Sequence, residues 1–171
     1  MEPASLPDAQ ALAALQKRLN LERRFRSGVD WFFWIAGLSL INTIVFVLGG
    51  SMTFVVGLGL TQVVDAIGYV IAQETSGTTT TIIRAVAFVI SLGISGIFVL
   101  FGVLGRKRQR WAIITGMVLY LLDGLIFLAF ADFLPALFHA IALFGLWGGF
   151  SALRELIKLD QPLTPPTIEP V

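Results

Sequence analysis

Polar side chains inside otherwise apolar stretches are the residues of this sequence most able to do chemistry. Burying such a group in hydrocarbon is costly, so each one is a candidate functional residue with a partner to be found. The candidates are Asn42, Tyr120, Asp123 and His139. Helical rise places Asn42, Asp123 and His139 about 6–12 Å below the same outer membrane surface. Tyr120 lies one helical turn from Asp123, on the same face.

This predicted cluster has two interpretations. A carboxylate and an imidazole can share a proton, so the cluster could hold a proton, a cation or a small polar ligand. The same side chains could instead form hydrogen bonds between helices and fix their packing. We favour packing, because no second carboxylate accompanies Asp123 in the interior of the apolar spans.

A second polar set falls in and after residues 51–72, a stretch that is apolar enough to insert but is interrupted by glycines. Its members are Gln62, Asp65 and Glu74, and the basic residue nearest to them is Arg84. An ion pair of Arg84 with Asp65 or Glu74 would hold the stretch in place. Near water such a pair contributes little to stability.

Small residues at four-residue spacing predict close contacts between helices. They are Ala87, Ser91 and Ser95 in one span, and the GxxxG pair Gly145 and Gly149 in the last. Such residues let two helix backbones approach closely. The contact could lie within one chain, which we favour, or between copies in a homo-oligomer.

The composition excludes several kinds of site. The chain has no cysteine and one histidine, so thiolate ligands are impossible and no histidine-based metal or haem site is expected. Glycine-rich phosphate-binding motifs are absent from the sequence. The net charge is only +1, whereas nucleic-acid binding needs a clustered basic excess. We therefore expect no cofactor, no metal and no nucleic-acid partner.

The elements that must position the candidate residues are membrane-spanning helices. With 56% hydrophobic and 13% charged residues and a mean hydropathy of +0.85, the chain has too little polar surface for a soluble globule. About 20 apolar residues in a helix cross a hydrocarbon core of about 30 Å. Such stretches predict an all-α integral membrane protein, and they are residues 29–49, 82–104, 111–131 and 136–156.

The basic residues predict how many stretches cross. Apart from Arg84 they form three groups, and basic residues concentrate on the cytoplasmic side. All three groups can be cytoplasmic only if one apolar stretch before the middle group does not cross. The prediction is four transmembrane helices plus an outer re-entrant or interfacial helix at residues 51–72, with five transmembrane helices as the alternative. The topology determinants are Arg23, Arg24, Arg26, Arg106, Lys107, Arg108, Arg110, Arg154 and Lys158.

The helical bundle is expected over residues 29–159. Three further segments lie before, between and after its spans. Residues 1–28 predict a basic amphipathic helix on the cytoplasmic side. Residues 75–81 are polar and predict a loop. Residues 160–171 are proline-rich and predict a disordered tail.

One short motif resembles that of a protease family. The sequence GISG at residues 93–96 resembles the GxSG motif of rhomboid intramembrane serine proteases, which implies Ser95 as nucleophile and His139 as base. Helical rise places these two residues at depths about 14 Å apart, whereas a nucleophile and its base must come within about 3 Å. Rhomboid proteases also have more spans than this chain, so this interpretation is disfavoured.

A second resemblance covers most of the chain. Four strings are similar to those of small, uncharacterised bacterial multi-pass membrane proteins: WIAGLSLIN, VGLGLTQVVDAI, GMVLYLLDGLIF and FHAIALFGLWGG. The resemblance implies a bacterial inner-membrane origin. The charge pattern separately predicts that both termini are cytoplasmic. It implies no particular activity.

The functional expectation is a non-enzymatic membrane protein, a scaffold or accessory subunit. Its expected partners are the lipid bilayer and either another membrane protein or a second copy of the chain. The alternative is a small-solute or ion transporter or channel that uses the predicted cluster. An intramembrane serine protease is a distant third.

Overall fold

The computed structural model describes residues 9–48 and 57–161, and these residues are helical without any strand. Residues 162–171 of the predicted tail, residues 1–8 and the start of the stretch 51–72 lie outside the described residues. The all-α prediction is confirmed. The helices are α1 (Ala9–Val29), α2 (Trp31–Val47), α3 (Gly59–Gln73), α4 (Thr78–Arg106), α5 (Arg110–Ala129) and α6 (Phe133–Leu159).

Within the described residues, four helical runs are long and apolar enough to cross a membrane, and α3 is not one of them. The first run joins α1 and α2 into 39 residues, because the Asp30 amide donates to the Arg26 carbonyl at 2.9 Å and the Asp30 carbonyl accepts from the Phe33 amide at 3.0 Å. The 15 residues of α3 rise only about 22 Å. The preferred prediction of four spans and one further helix is therefore confirmed.

Helix α1 packs along α6 by a close approach of the two backbones. A methyl group at Gly149 would lie 2.8 Å from the Gly28 Cα atom, and one at Gly145 would meet the indole of Trp31. Leu21 and Phe25 are buried beside this crossing. The GxxxG pair thus contacts α1 of the same chain, and α1 is part of the bundle and not a separate surface helix.

Ion pairs gather the three basic groups at one end of the bundle, called here the basic end. Arg106 of α4 bonds to Asp30 at the α1–α2 junction, and Arg108 bonds to Glu22 within α1 and to Asp160 at the end of α6. The pairs are Arg106–Asp30 at 2.7 Å, Arg108–Asp160 at 2.9 Å, Arg18–Asp160 at 2.7 Å and Arg108–Glu22.

Aromatic rings fill the core next to the basic end. The ring centroids of Phe32, Phe98 and Phe101 lie 6.0–6.3 Å apart in tilted and edge-on pairs. Gly116 makes room for them, since a methyl group there would lie 2.6 Å from the Phe32 ring. This half of the bundle is therefore held by hydrocarbon packing.

Helix α3 begins inside the bundle. Its preceding residue, Leu58, donates its amide to Ser39 in the middle of α2 at 2.6 Å, whereas Tyr69, farther along α3, contacts Phe46 near the end of α2 with ring centroids 5.6 Å apart. Helix α3 therefore runs in the same direction as α2 and starts at half its height. It ends at Gln73, and Gly77, with a φ of +62°, directly precedes α4. The predicted loop is shorter than residues 75–81, because α4 already begins at Thr78.

Candidate functional site

Buried polar side chains from five helices surround the first half of α3, and we call them the polar layer. Each is less than a tenth exposed. In a nonpolar environment every such group needs a hydrogen-bond partner, so the bonds within the layer define what it does. The members are Ser39, Thr43, Thr61, Asp65, Ser91, Tyr120, Asp123 and His139.

Asp123 of α5 binds the N-terminus of α3. Its Oδ2 atom accepts from the Gly59 amide at 2.8 Å and its Oδ1 atom accepts from the Leu60 amide at 2.8 Å. The first amides of a helix have no partner within the helix, and the helix dipole places partial positive charge there. A carboxylate satisfies both requirements, so Asp123 fixes where α3 starts.

His139 of α6 lies within hydrogen-bond distance of Asp123. The Nδ1 atom of His139 lies 2.8 Å from the Pro135 carbonyl oxygen, and its Nε2 atom lies 3.0 Å from Asp123 Oδ2. The two contacts engage both ring nitrogens, so the imidazole is held between Pro135 of its own helix and Asp123 of α5.

Aromatic rings and a glycine orient the imidazole. Tyr120 stacks on His139 with centroids 4.2 Å apart and planes 19° apart, and Phe127 lies 5.1 Å away. Gly124 lets α6 approach α5, since a methyl group there would lie 3.0 Å from the His139 Cβ atom. The structure thus brings together Asp123, His139 and Tyr120 of the predicted cluster. Asn42, its fourth member, is buried on α2 at 3% exposure.

Asp65 occupies a different setting on α3. Its Oδ2 atom accepts from the Thr43 hydroxyl at 2.8 Å and its Oδ1 atom accepts from the Ser91 hydroxyl at 2.8 Å. These bonds tie α3 to α2 and α4. A cavity of about 90 Å³ beside Asp65 is also lined by Arg84.

The expected ion pair of Arg84 is not formed within the described residues: Asp65 bonds to hydroxyl groups instead. Glu74 and Arg84 are exposed and Gln62 is half-buried, so Asp65 is the buried member of the second polar set. Apolar residues of α3 such as Ile67 and Val70 are the exposed ones. In lipid the polar face of a helix turns inward, because only protein atoms can satisfy it there.

Two hydroxyl groups complete the start of α3. Ser39 donates to the Ile35 carbonyl at 2.9 Å and accepts from the Leu58 amide at 2.6 Å. Thr61 donates to the Leu58 carbonyl at 2.8 Å. The signal that could have identified Ser39 and Thr43 is their four-residue spacing within the first span.

Ser95 of the GISG motif is buried, and its hydroxyl group has no hydrogen-bond partner among the described residues. Both nitrogens of His139 face other atoms, namely the Pro135 carbonyl and the Asp123 carboxylate. The nucleophile–base contact that a serine protease needs is therefore not present between these two residues. Ala87, on the same stripe, packs against Gly68 of α3.

The polar layer has the chemistry of a helix-capping and helix-packing site. Among the described residues no group of three or more histidine, aspartate or glutamate side chains could hold a metal ion. Comparison of the chain with protein-family models, curated proteins and solved structures finds no match. Function must therefore be inferred from the chain's own residues.

Proposed function

We propose that this protein is a non-enzymatic membrane module, a scaffold or accessory subunit, in a bacterial inner membrane with both termini in the cytoplasm. The observation that carries the proposal is that the groups of the polar layer bond to one another and to the start of α3. Asp123 has three hydrogen-bond partners and both nitrogens of His139 are engaged. Their role is to hold α3, which makes them structural.

The core between the polar layer and the basic end supports this role over transport. Phe98 and Phe101 follow the polar residues of α4 in the direction of the basic end, and Phe32 packs against both. A solute or ion leaving Asp123 toward that end would have to pass these rings. A transport route needs polar or hydrated surface at this point.

The basic end supports the proposed orientation. Arg106 and Arg108 join α1, the α4–α5 connection and α6 through ion pairs, so all three basic groups belong on one side of a membrane. The positive-inside rule makes that side the cytoplasm.

An exposed leucine stripe on α1 is the surface that we assign to the partner protein. Leu12, Leu15 and Leu19 are 48%, 54% and 55% exposed, and their spacing places them on one helix face. That face is turned away from Leu21 and Phe25, which pack on α6. An apolar stripe of this kind fits the groove or helix of a second protein.

Purification of the tagged protein from native membranes tests the proposal. We expect one companion protein in a fixed ratio. Replacing Leu12, Leu15 and Leu19 by Gln should remove it, whereas the control Gln10→Ala/Gln16→Ala, on the same helix, should retain it. A wild-type protein that purifies without any companion, or one whose companion is indifferent to the leucines, would contradict the proposal.

A transporter or channel is the second candidate, favoured by the start of α3 inside the bundle beside the hydrogen-bonded pair Asp123 and His139. Helix ends at mid-membrane form ion and substrate sites in many transporters. Proteoliposomes under an imposed pH gradient distinguish the two functions. We expect no proton flux above that of empty liposomes; a flux that Asp123→Asn and His139→Phe both abolish would replace the scaffold proposal.

A further inference from the structure

A groove of about 680 Å³ lies between the α1–α2 run and α6, outside the polar layer. Its two ends differ in chemistry. Twelve residues of helix separate Arg26 from Leu38, which corresponds to about 18 Å along the run. The polar end is formed by Arg23, Arg26 and Ser27, and the apolar end by Leu38, Phe138 and Ile141.

The polar end carries net positive charge. Asp30 also lines the groove, but its Oδ1 atom accepts from Nε and a terminal nitrogen of Arg106 at 2.9 and 2.7 Å. Arg23 and Arg26 are exposed, and neither forms an ion pair with any residue that the structure describes. Two guanidinium groups are thus available for an anion, with no carboxylate left over to oppose them.

Tryptophans mark the boundary between the two ends. Trp31 and Trp34 line the groove between the arginines and Leu38, and Trp34 is 66% exposed. Tryptophan concentrates at the level of lipid headgroups, where its ring is half in hydrocarbon and its N–H group is in a polar environment. The groove therefore crosses from headgroup level into the hydrocarbon region.

We infer that this groove binds one anionic phospholipid, independently of the function proposed above. The arginine pair receives the phosphate group, because a guanidinium group matches phosphate oxygens with paired N–H donors. An acyl chain lies along Trp34, Leu38 and Phe138. The proposed ligand is a membrane lipid and not free phosphate, since most of the groove wall beyond the arginines is apolar.

Native mass spectrometry of the intact protein in detergent, titrated with phosphatidylglycerol or phosphatidylcholine, tests the inference. We expect phosphatidylglycerol to bind more tightly. Arg23→Gln/Arg26→Gln should weaken its binding about 30-fold, since each arginine near a membrane surface contributes a factor of about five. The matched control is Lys17→Gln/Arg24→Gln, which removes the same charge from the other side of α1 and should change affinity less than about threefold.

Two results would overturn the inference: equal losses in both double variants, which would indicate general attraction to a basic helix, or equal affinity of the wild type for the two lipids. The apolar end has its own test in Leu38→Trp, which fills the groove and should lower affinity for phosphatidylglycerol without lowering the melting temperature. An unchanged affinity would contradict the proposal that an acyl chain lies at the apolar end of the groove. Inorganic phosphate should not displace the lipid; displacement would make free phosphate the ligand.

Discussion

Two buried carboxylates, Asp123 and Asp65, hold the same helix in different ways. Asp123 accepts from backbone amides of Gly59 and Leu60, which are fixed donors. Asp65 accepts from the hydroxyl groups of Thr43 and Ser91, which can rotate and can themselves accept. Backbone amides can only donate, so the position of Asp123 requires two acceptor atoms. The position of Asp65 does not, because each hydroxyl group can donate or accept. The difference indicates that the start of α3 depends on charge and its middle does not.

Asp123→Asn should give the largest effect, a loss of about 3 kcal/mol in the free energy of unfolding. The amide nitrogen of asparagine would face either the Gly59 or the Leu60 amide, which leaves a buried donor without an acceptor at about 1–3 kcal/mol. The favourable charge at the helix N-terminus, worth up to about 2 kcal/mol, is also lost. Unfolding in mixed detergent micelles measures the loss. Faster hydrogen exchange at Gly59 and Leu60 should accompany it, and slow exchange there would show that the carboxylate does not cap α3.

Asp65→Asn should cost less than about 1 kcal/mol. The asparagine oxygen can accept from one hydroxyl group while its nitrogen donates to the other, so both bonds survive, and no buried charge remains to be compensated. The same micelle measurement applies, with hydrogen exchange at Gly59 unchanged as the matched readout. A loss as large as that of Asp123→Asn would end the distinction between the two sites.

The remaining effects are small and are expected on α4, at two serines one turn apart. Ser91→Ala removes one donor to Asp65 and should cost about 1 kcal/mol. Ser95→Ala removes a buried hydroxyl group that has no partner and should leave stability unchanged or raise it by up to about 1 kcal/mol. Thermal unfolding of the two variants, compared with the wild type, tests both expectations. Equal destabilisation by both would indicate that Ser95 has a structural role of its own.

The helix class and the four spans could be predicted because they depend on apolar length and on the side of each charge. The pairing of Asp123 with His139 was within reach for a similar reason, since helical rise gives depth. The hydrogen-bond partners of Asp65 could not be predicted, because the sequence does not show which neighbouring helix a hydroxyl group in a span faces. The capping of Gly59 and Leu60 was also hidden: every helix has such amides, and only the three-dimensional path shows which carboxylate reaches them.

Helix α1 illustrates a second limit of the sequence. Its basic and leucine-rich pattern is typical of a separate helix at the membrane surface. The structure instead continues it into α2 through Asp30 and packs it on α6 at Gly28. A glycine before a span favours a helix end, and only the close approach of Gly149 shows that Gly28 serves a crossing of two helices.

The continuous run from α1 through α2, if it moves as a rigid body, carries a displacement at one end to its other end. It crosses α6 at Gly28 and Gly149, where the backbones touch, and this crossing is the natural pivot. Leu15 lies about 20 Å from the pivot on one side and Ser39 about 16 Å on the other, by helical rise. A partner that displaces the leucine stripe by 1 Å would therefore displace Ser39 by about 0.8 Å in the opposite direction, if the run stays rigid. Force applied at the end of α1 would act on the hydrogen bond between Ser39 and the Leu58 amide, which holds the start of α3. No ligand would have to enter the bundle for this.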